Sequence, residues 1–249
     1  MTTTVCVFSA AHGRLAVSEL VLRQRSLLLD ELRNRGVEAV SLVLADDGNL
    51  DIARGLGMEA VPHANAPLGA KCSAGLRRAA ALADHVMWVG SDDWVHPDVA
   101  GELLGAAGGD ESLVHAGARL AVVDLPRGRL TRIASHSLYG AIPWLIDSRL
   151  LRGREDPIPP RLERGLDGAL VRGMRRSGVP FRFERHDPHE FRCVDFKTPA
   201  NLHPYATLAE SRALAPEEDA WPALFGRFPR GLVDAARRLH EEGKWRTST

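Results

Sequence analysis

The sequence predicts an α/β protein with a mostly parallel central sheet and flanking helices. Short runs rich in β-branched and other apolar residues alternate with segments in which apolar residues recur every three or four positions. This alternation is typical of parallel sheets, because two parallel strands need a crossover, usually a helix, between them. The run over residues 39–45 is nearly continuous in apolar residues, as expected of a strand that helices cover on both faces.

The first part of the chain predicts strands joined by helices in the order βαβαβαβ. The first helix has apolar residues along one face and is closed by Gly36, and the last strand ends in Gly90. Ligands of open parallel sheets bind beyond the carboxyl ends of the strands, so the loops that follow the strands are the expected site. The predicted strands cover residues 4–9, 39–45, 58–62 and 85–90, and the predicted helices cover residues 17–36, 51–56 and 70–83.

Beyond Pro97 the pattern becomes mixed. Pro126-Arg127-Gly128 lies between two apolar runs, which is a hairpin signal and predicts strands over residues 120–124 and 130–134. The sheet is therefore expected to gain antiparallel strands in this part. Helices are predicted over residues 98–107, 142–151, 166–177, 205–214 and 232–242, and a strand over residues 180–184.

The composition is that of an ordinary globular protein. Of 249 residues, 45% are hydrophobic and 26% are charged, and 32 basic side chains balance 32 acidic ones. This balance gives no support for binding to nucleic acids or membrane surfaces through net charge. The three scattered cysteines do not form a disulfide framework and indicate a reducing compartment. No apolar run reaches the ~20 residues that span a bilayer, and the N-terminus lacks a secretory signal, so we expect a cytoplasmic protein.

Acidic residues follow two of the predicted strands. Asp92 and Asp93 follow the strand that ends in Gly90, and Asp46 and Asp47 follow the strand over residues 39–45. Carboxylates at the carboxyl edge of a parallel sheet are typical ligands of Mg²⁺ or Mn²⁺ and of the phosphates that these cations carry. Taken alone, however, the Asp92–Asp93 pair favours a helix start, where an Asp side chain caps free N–H groups.

Four sequence segments follow one another in a fixed order within residues 4–200. They are Leu44-Ala45-Asp46-Asp47-Gly48-Asn49-Leu50-Asp51; Asn65 with Leu68-Gly69, Lys71 and Gly75; Ser91-Asp92-Asp93; and Glu163-Arg164-Gly165-Leu166-Asp167 with Leu170, Arg172 and Gly178. In this order they resemble the motifs of glycosyltransferases of the GT-A fold, most closely those of the family 2 type. The third segment lies where that family carries its Asp-x-Asp motif.

The chain departs from the family pattern at three places. Ser91 stands where the first acid of the Asp-x-Asp motif is expected, and Cys72 stands where an Asn is usual. The Glu-Asp pair of the last motif is split, because Glu163 precedes Asp167 by four positions. These departures leave the second cation ligand and the identity of the base open.

The resemblance implies a GT-A-like (Rossmann-like) fold and a metal-dependent enzyme. Such an enzyme moves a hexosyl or related sugar from a nucleotide sugar, with a UDP-sugar favoured, to an acceptor that the sequence does not identify. An inverting mechanism is expected, and a retaining one stays open. Residues 1–98 would form the half that binds the nucleotide sugar, and residues 99–204 the acceptor-binding and catalytic half of the same domain. Residues 205–249 would be a C-terminal helical extension.

The resemblance also implies a role for individual residues. Mn²⁺ or Mg²⁺ is expected on Asp93, with Asp92 as a further metal ligand or at the ribose, and Asp167 is the expected base with Glu163 in reserve. Residues expected near the nucleotide or its diphosphate are Asp46, Asp47, Asn65, Gly69, Lys71, Ser91 and Asp92, together with Ser9, His12 and Arg14 after the first strand and Trp94 after the acid pair. The alternatives are a helix-dipole role for Asp167, a solvated Lys71 and a core position for Trp94.

Two further segments are candidates for the same site. His186 and His189 lie among turn formers, and a histidine in this part of GT-A enzymes often completes the metal site; the alternative is a surface loop. Zinc is disfavoured because a second pair of Cys or His ligands is missing. The segment 139–144 resembles the loop that closes over donor and acceptor, with Trp144 as a flat face for a sugar or as a core residue.

Alternatives to a glycosyltransferase stay open. A nucleotidyltransferase that makes a nucleotide sugar would use a similar sheet and metal, but the loop over residues 9–14 is a poor version of its Gly-rich basic loop. A non-catalytic protein that binds nucleotide sugars would fit the incomplete acid motif. Arginines around Asp167 are either a solvated face or the contact for an anionic acceptor, such as a modified base in a nucleic acid, for which no recognition motif is present.

Overall fold

The structure of the protein is a computed structural model. It describes residues 2–108, 112–115, 120–133, 143–183, 190–199, 201, 205 and 216–245. Within these ranges, two sheets and their flanking helices form one α/β arrangement. The helices are α1 Leu15–Asn34, α2 Asp47–Gly55, α3 Leu68–Leu82, α4 Pro97–Ala107 and α5 Leu166–Arg176, followed by α6 Ala220–Phe225 and α7 Arg230–Glu241. The strands are β1 Thr4–Ala10, β2 Glu38–Ala45, β3 Glu59–Pro62, β4 His85–Trp88, β5 Asp93–Val95, β6 Leu113–His115, β7 Leu120–Asp124, β8 Arg129–Ile133, β9 Trp144–Asp147, β10 Phe181–Phe183, β11 Cys193–Lys197 and β12 Glu218–Asp219.

The larger sheet confirms the predicted parallel arrangement. Its described strands follow the order β10-β6-β9-β4-β1-β2-β3, and β1 pairs in parallel with both β2 and β4. Val5 lies opposite Ala39 on one side and His85 on the other, so these strands run in register and end at the same edge. That edge carries the loops in which the site was expected.

The same sheet is mixed, and one of its strands was predicted incorrectly. The predicted helix over residues 142–151 is instead β9, antiparallel to both β4 and β6, followed by the 3-10 turn Ser148–Leu150. All residues of β9 are buried, so neither helical nor strand periodicity is visible in so short an apolar run. Residues 144–147 form a strand because they lie between β4 and β6 and pair with both.

The smaller sheet contains the predicted hairpin and three strands, β5, β11 and β12, that the sequence pattern did not predict. β7 and β8 pair in antiparallel fashion, as expected from the turn between them. β11 pairs in parallel with β7 and in antiparallel fashion with β5, which begins at Asp93. The Asp92–Asp93 pair therefore leads into a strand and not a helix. The helix after it, α4, is capped by His96, whose side chain accepts from the backbone N–H of Asp98.

Close packing of helices onto the parallel strands fixes the loops at the carboxyl edge. In α3, a Cβ atom at Gly75 would come within 2.1 Å of the Phe8 ring of β1, so glycine permits the observed approach. In α1, Leu28 and Leu32 are fully buried against the sheet. Burial of each such leucine contributes roughly 1.5–3 kcal/mol.

The C-terminal part is described only in pieces. The helix predicted over residues 232–242 is present as α7, whereas α6 was not predicted. The helix predicted over residues 205–214 lies outside the described residues, apart from Tyr205. Among the helices that the structure describes, none combines the length and apolar character needed to cross a membrane.

Candidate active site

Three carboxylates meet at the carboxyl edge of the larger sheet. Ligand oxygens of Asp92, Asp93 and Asp195 all lie within 4.8 Å of one another. Backbone pairing explains this meeting, because Asp195 of β11 lies directly opposite Asp93 of β5, and the Phe196 N–H donates to the Asp92 carbonyl oxygen at 2.9 Å. The sequence pattern predicted Asp92 and Asp93 here but missed Asp195. The only local signal for Asp195 is an acid inside a short apolar run.

Gly90 allows the Asp93 carboxylate to lie against the backbone. A Cβ atom at Gly90 would come within 2.2 Å of Asp93 Oδ2 and 3.3 Å of Asp92 Oδ1. Any side chain at position 90 would therefore displace the Asp93 carboxylate. The turn between β4 and β5 can hold both acids in this arrangement only with glycine at that position.

Two basic side chains neutralise part of the charge of the cluster, and an amide donates a hydrogen bond to it. Lys197 Nζ lies 2.6 Å from Asp195 Oδ2 and 3.9 Å from Asp92 Oδ2. Arg14 donates to Asp92 Oδ2 and to Ser91 Oγ, each at 3.2 Å. Asn201 Nδ2 donates to Asp92 Oδ2 at 2.5 Å. Asp92 is thus the most fully paired carboxylate of the cluster.

The pKa values of the three carboxylates diverge. Burial raises the pKa of Asp93 well above its ordinary value, and the charges of Asp195 and Asp92 add to this effect. Burial also raises the pKa of Asp195 to about 6, although Lys197 opposes the shift. Burial acts in the same direction on Asp92, but Lys197 and Arg14 outweigh it and lower the pKa of that carboxyl. Like charges forced together in this way are typical of functional sites.

The carboxylate cluster fits a hard divalent cation. Its potential ligands are carboxylate oxygens, which Mg²⁺ and Mn²⁺ prefer over nitrogen or sulfur. Asp195 Oδ1 is buried and has no hydrogen-bond partner within the described part of the chain, so one oxygen remains available. Burial and the neighbouring like charges raise the pKa values of Asp93 and Asp195, and a cation there would offset both effects.

Asp167 lies at the start of α5, and the charge of Asp92 contributes to its raised pKa. Gly165 precedes the helix with φ 63°, a left-handed conformation that favours glycine, and Asp167 follows in the first turn. Burial raises the pKa of Asp167 to about 6, and the charge of Asp92 contributes. Asp167 is therefore mostly ionised at neutral pH but binds a proton more tightly than an exposed Asp.

Glu163 and Gly69 have a structural role. Glu163 Oε2 accepts from the backbone N–H of Leu68, the first residue of α3, at 3.2 Å, and the Gly69 N–H donates to the Leu162 carbonyl oxygen at 2.7 Å. A Cβ atom at Gly69 would come within 2.3 Å of the Pro159 carbonyl oxygen. These contacts dock the loop over residues 159–163 onto α3.

The loops after β1 and β2 bring several of the predicted polar residues close to one another. His12 Nδ1 and Asp46 Oδ2 lie in hydrogen-bond contact, and His12 remains largely exposed. Asn49 donates to the Gly13 carbonyl oxygen at 3.1 Å and to Asp46 Oδ1 at 3.4 Å. Asp47 begins α2, and its side chain is not described. This group lies at the neighbouring strand ends, beside the loop that carries Arg14.

Lys71 and Asn65 hold the loop over residues 11–14 in place. Lys71 is fully buried and donates to the Ala11 carbonyl oxygen at 2.6 Å and to Asn65 Oδ1 at 3.4 Å. Burial lowers the pKa of Lys71, and the charge of Asp46 opposes this effect. The ammonium group is therefore committed to the backbone of the loop and is not the solvated lysine of the alternative interpretation.

Two residues expected at the nucleotide lie instead in the core. The Ser9 hydroxyl is buried and donates to the Val89 carbonyl oxygen at 2.5 Å. Trp94 is 0% exposed and packs against Phe196 and Phe228, with ring centroids 4.7 Å and 5.2 Å away. Strand alternation accounts for Trp94, because successive side chains of β5 point to opposite faces.

Other predicted site residues lie partly outside the description. His186, His189 and residues 139–142 of the expected closing loop are not described. Trp144 of that loop is buried in β9, as the core alternative had it.

Comparisons with known proteins agree with this architecture. No family model matches the sequence. Over 95 residues the chain is 27% identical to a Bacillus subtilis (strain 168) protein provisionally named as the glycosyltransferase EpsH; the match covers 34% of this chain and 27% of that protein.

Solved structures extend the similarity to most of the chain. S. aureus TarS is similar with a TM-score of 0.55 and 15% identity, over 80% of this chain and 37% of that one. The catalytic domain of Drosophila beta1,4-galactosyltransferase 7, in complex with xylobiose, is similar with a TM-score of 0.53 and 12% identity, over 94% of this chain and 84% of that one. The chain therefore has a GT-A-like fold, as its motifs predicted.

Proposed function

We propose that the protein is a metal-dependent glycosyltransferase that moves a sugar from a nucleotide sugar to an acceptor with inversion of configuration. The observation that carries this proposal is the meeting of Asp92, Asp93 and Asp195 at the carboxyl edge of a GT-A-like sheet. The charge of Asp92 also contributes to the raised pKa of Asp167, which supports the proposal. A cytoplasmic location is part of the proposal, because the three cysteines are free and buried.

Asp93 and Asp195 are the proposed ligands of Mn²⁺ or Mg²⁺. When bound, such a cation supplies positive charge that stabilises the leaving diphosphate. Asp92 is held by Arg14, Lys197 and Asn201, so it serves the cluster as a fixed charge and a further ligand oxygen. Arg14 and Lys197 also place positive charge beside the diphosphate.

The nucleotide is proposed to bind at the loops after β1 and β2. His12, Asp46 and Asn49 offer hydrogen bonds there to a base or ribose, and a UDP-sugar is the favoured donor. Lys71 and Asn65 act indirectly, since their contacts hold the loop over residues 11–14 in place.

Asp167 is the proposed base. The acceptor oxygen forms a bond to the anomeric carbon, its proton passes to Asp167, and the bond to the diphosphate oxygen breaks with its electron pair remaining on the diphosphate. A pKa of about 6 keeps Asp167 ionised at neutral pH and still basic enough to take the proton. Glu163 is a weaker candidate for this role, because its carboxylate caps α3.

Nucleoside diphosphate release tests the proposal. Wild-type protein would be incubated with Mn²⁺ and a panel of nucleotide sugars, with and without sugar, lipid-linked and nucleic-acid acceptors. Asp93→Ala should abolish metal-dependent donor binding, whereas Asp51→Ala, at an exposed position of α2, should not.

Two results would contradict the proposal. Pyrophosphate release from a nucleoside triphosphate and a sugar phosphate would show a nucleotidyltransferase. Donor binding without turnover for every donor and acceptor would show a non-catalytic binding protein.

A further inference from the structure

Arg25 is a fully buried arginine in the middle of α1. Its side chain is 0% exposed, and it forms no ion pair with any carboxylate in the described ranges. A charge is rarely retained in the interior unless hydrogen bonds and a nearby opposite charge compensate for its lost hydration. We therefore expect hydrogen-bond acceptors and a negative charge near the Arg25 guanidinium.

The guanidinium connects α1 to the turn that carries the acid pair. Arg25 Nη1 donates to Ser9 Oγ at the end of β1, and Nη2 donates to the Gly90 carbonyl oxygen at 3.2 Å. Ser9 in turn donates to the Val89 carbonyl oxygen at 2.5 Å. Two consecutive carbonyl groups of the turn are thus held, one directly and one through a hydroxyl.

Gly90 lies between this guanidinium and the Asp93 carboxylate. The guanidinium binds the carbonyl oxygen of Gly90, while Asp93 Oδ2 lies against its α-carbon. The preceding residue of α1, Gln24, binds both backbone groups of Val95, donating to the carbonyl oxygen at 2.5 Å and accepting from the N–H at 3.2 Å. One turn of α1 therefore holds both sides of Asp93.

The charge of Arg25 also relates this residue to Asp93. Burial lowers the pKa of Arg25 to about 10, and the charge of Asp93 acts in the opposite direction, so the guanidinium stays protonated at neutral pH. Lys197 and Arg14 neutralise Asp92 and Asp195, whereas Asp93 has no ion pair within the described part of the chain. Lys197 opposes the rise in the pKa of Asp93, and the charge of Asp93 in turn raises the pKa of the buried Arg25, so Arg25 adds to this compensation from inside the fold.

We propose that Arg25 is a positioning residue: its hydrogen bonds fix the turn before Asp93, and its charge compensates the carboxylate from the buried side, so that the cluster is ready to bind a divalent cation. This inference rests on the proposed function, because it takes the cluster as the metal site. Residues that orient metal ligands typically change metal affinity 10–100-fold when removed.

The test is direct measurement of Mn²⁺ affinity, by the electron paramagnetic resonance signal of free Mn²⁺, without any substrate. Arg25→Met should weaken binding about 10–100-fold, and Arg25→Lys should restore part of the loss because it keeps the charge. Ser9→Ala removes one of the two links to the turn and should weaken binding less. Leu28→Ala, in the same helix and fully buried, should lower Tm and leave the Mn²⁺ affinity unchanged.

The Mn²⁺ affinities of these variants distinguish a positioning role of Arg25 from a general effect on the fold. Unchanged or tighter Mn²⁺ binding in Arg25→Met would overturn the role of Arg25, as would an equal loss in Leu28→Ala. If Arg25→Met does not fold, Arg25→Lys and Ser9→Ala provide the same comparison. Absence of saturable Mn²⁺ binding by the wild type would instead overturn the metal assignment of the proposed function.

Discussion

Gly90 determines where the Asp93 carboxylate can lie. Since a Cβ atom at this position would come within 2.2 Å of Asp93 Oδ2, Gly90→Ala must displace the carboxylate. We expect Mn²⁺ affinity to fall about tenfold or more, and stability to fall by about 1–3 kcal/mol from the added strain. Isothermal titration with Mn²⁺ and thermal unfolding would measure the two effects.

Gly105→Ala is the matched control for that substitution. Gly105 lies in α4, and nothing comes within 4 Å of a Cβ atom placed there. Alanine in a helix interior should leave Mn²⁺ affinity unchanged and raise stability by about 0.4–1 kcal/mol. Equal Mn²⁺ affinities in the two variants would show that the Asp93 position does not matter for the cation.

Asp167 should give transfer a defined pH dependence. Because burial raises its pKa to about 6, the base is protonated and inactive below that pH and ionised above it. The rate of nucleoside diphosphate release should therefore rise through about pH 6 and then level off. Asp167→Asn should lower kcat about 10²–10⁴-fold while the KM for the donor stays nearly constant. A variant with near wild-type kcat would exclude Asp167 as the base.

At the level of elements, the loop over residues 159–163 distinguishes the two candidate bases. Glu163 caps α3 at Leu68, so Glu163→Ala should cost about 1 kcal/mol of stability, as loss of a helix cap does. It should leave kcat within a few-fold of wild type, because the proposed proton acceptor is Asp167. Thermal unfolding and steady-state kinetics on the same preparation would show this. A loss of kcat as large as that of Asp167→Asn would transfer the role of base to Glu163.

Local sequence predicted the elements that have long or periodic patterns. α1, α3, the parallel strands and the β7–β8 hairpin follow from apolar periodicity and turn residues, and Asp92 and Asp93 follow from their place after β4. β9 and β11 do not, because a short apolar run becomes a strand through its neighbours. Asp195 reached the site only through the pairing of β11 with β5, which involves residues about a hundred positions apart in sequence.

Burial distinguishes residues whose side chains reach the open edge of the sheet from residues whose side chains lie in the interior, which the sequence alone did not do. Ser9, Lys71 and Trp94 are polar or aromatic residues in the right segments, yet their side chains are buried and bind the backbone or the core. A sequence motif records which residue stands at a position, but not whether its side chain points to the open edge or the interior. Arg25 illustrates the converse, since its place in a helix of apolar periodicity gives no sign of its contact with Gly90.

At the scale of the whole molecule, the carboxylate cluster links folding stability to the cation. A carboxyl whose pKa is raised in the folded state favours folding when protonated, so its contribution is lost as pH rises from its unfolded value of about 4. Asp93, Asp195 and Asp167 all act in this direction, so these three carboxyls lower the folding stability of the metal-free protein near neutral pH. Burial lowers the pKa values of His85 and His96, which act in the opposite direction, so Tm alone does not isolate the cluster.

The increment in Tm produced by Mn²⁺ isolates it. At a free Mn²⁺ concentration about 100 times the dissociation constant, binding adds about 2.7 kcal/mol to stability, or roughly 5–10 °C for a chain of this size. The increment should be largest at about pH 7.5 and shrink towards about pH 5, because protons compete for the raised carboxyls. Asp93→Asn removes one of the repelling charges, so its metal-free form should melt higher than wild type at about pH 7.5 and gain little from Mn²⁺. Thermal unfolding of wild type and Asp93→Asn, with EDTA and with Mn²⁺ at both pH values, measures the metal-free Tm and the Mn²⁺ increment of each protein. An undiminished Mn²⁺ increment in Asp93→Asn would place the cation away from this cluster.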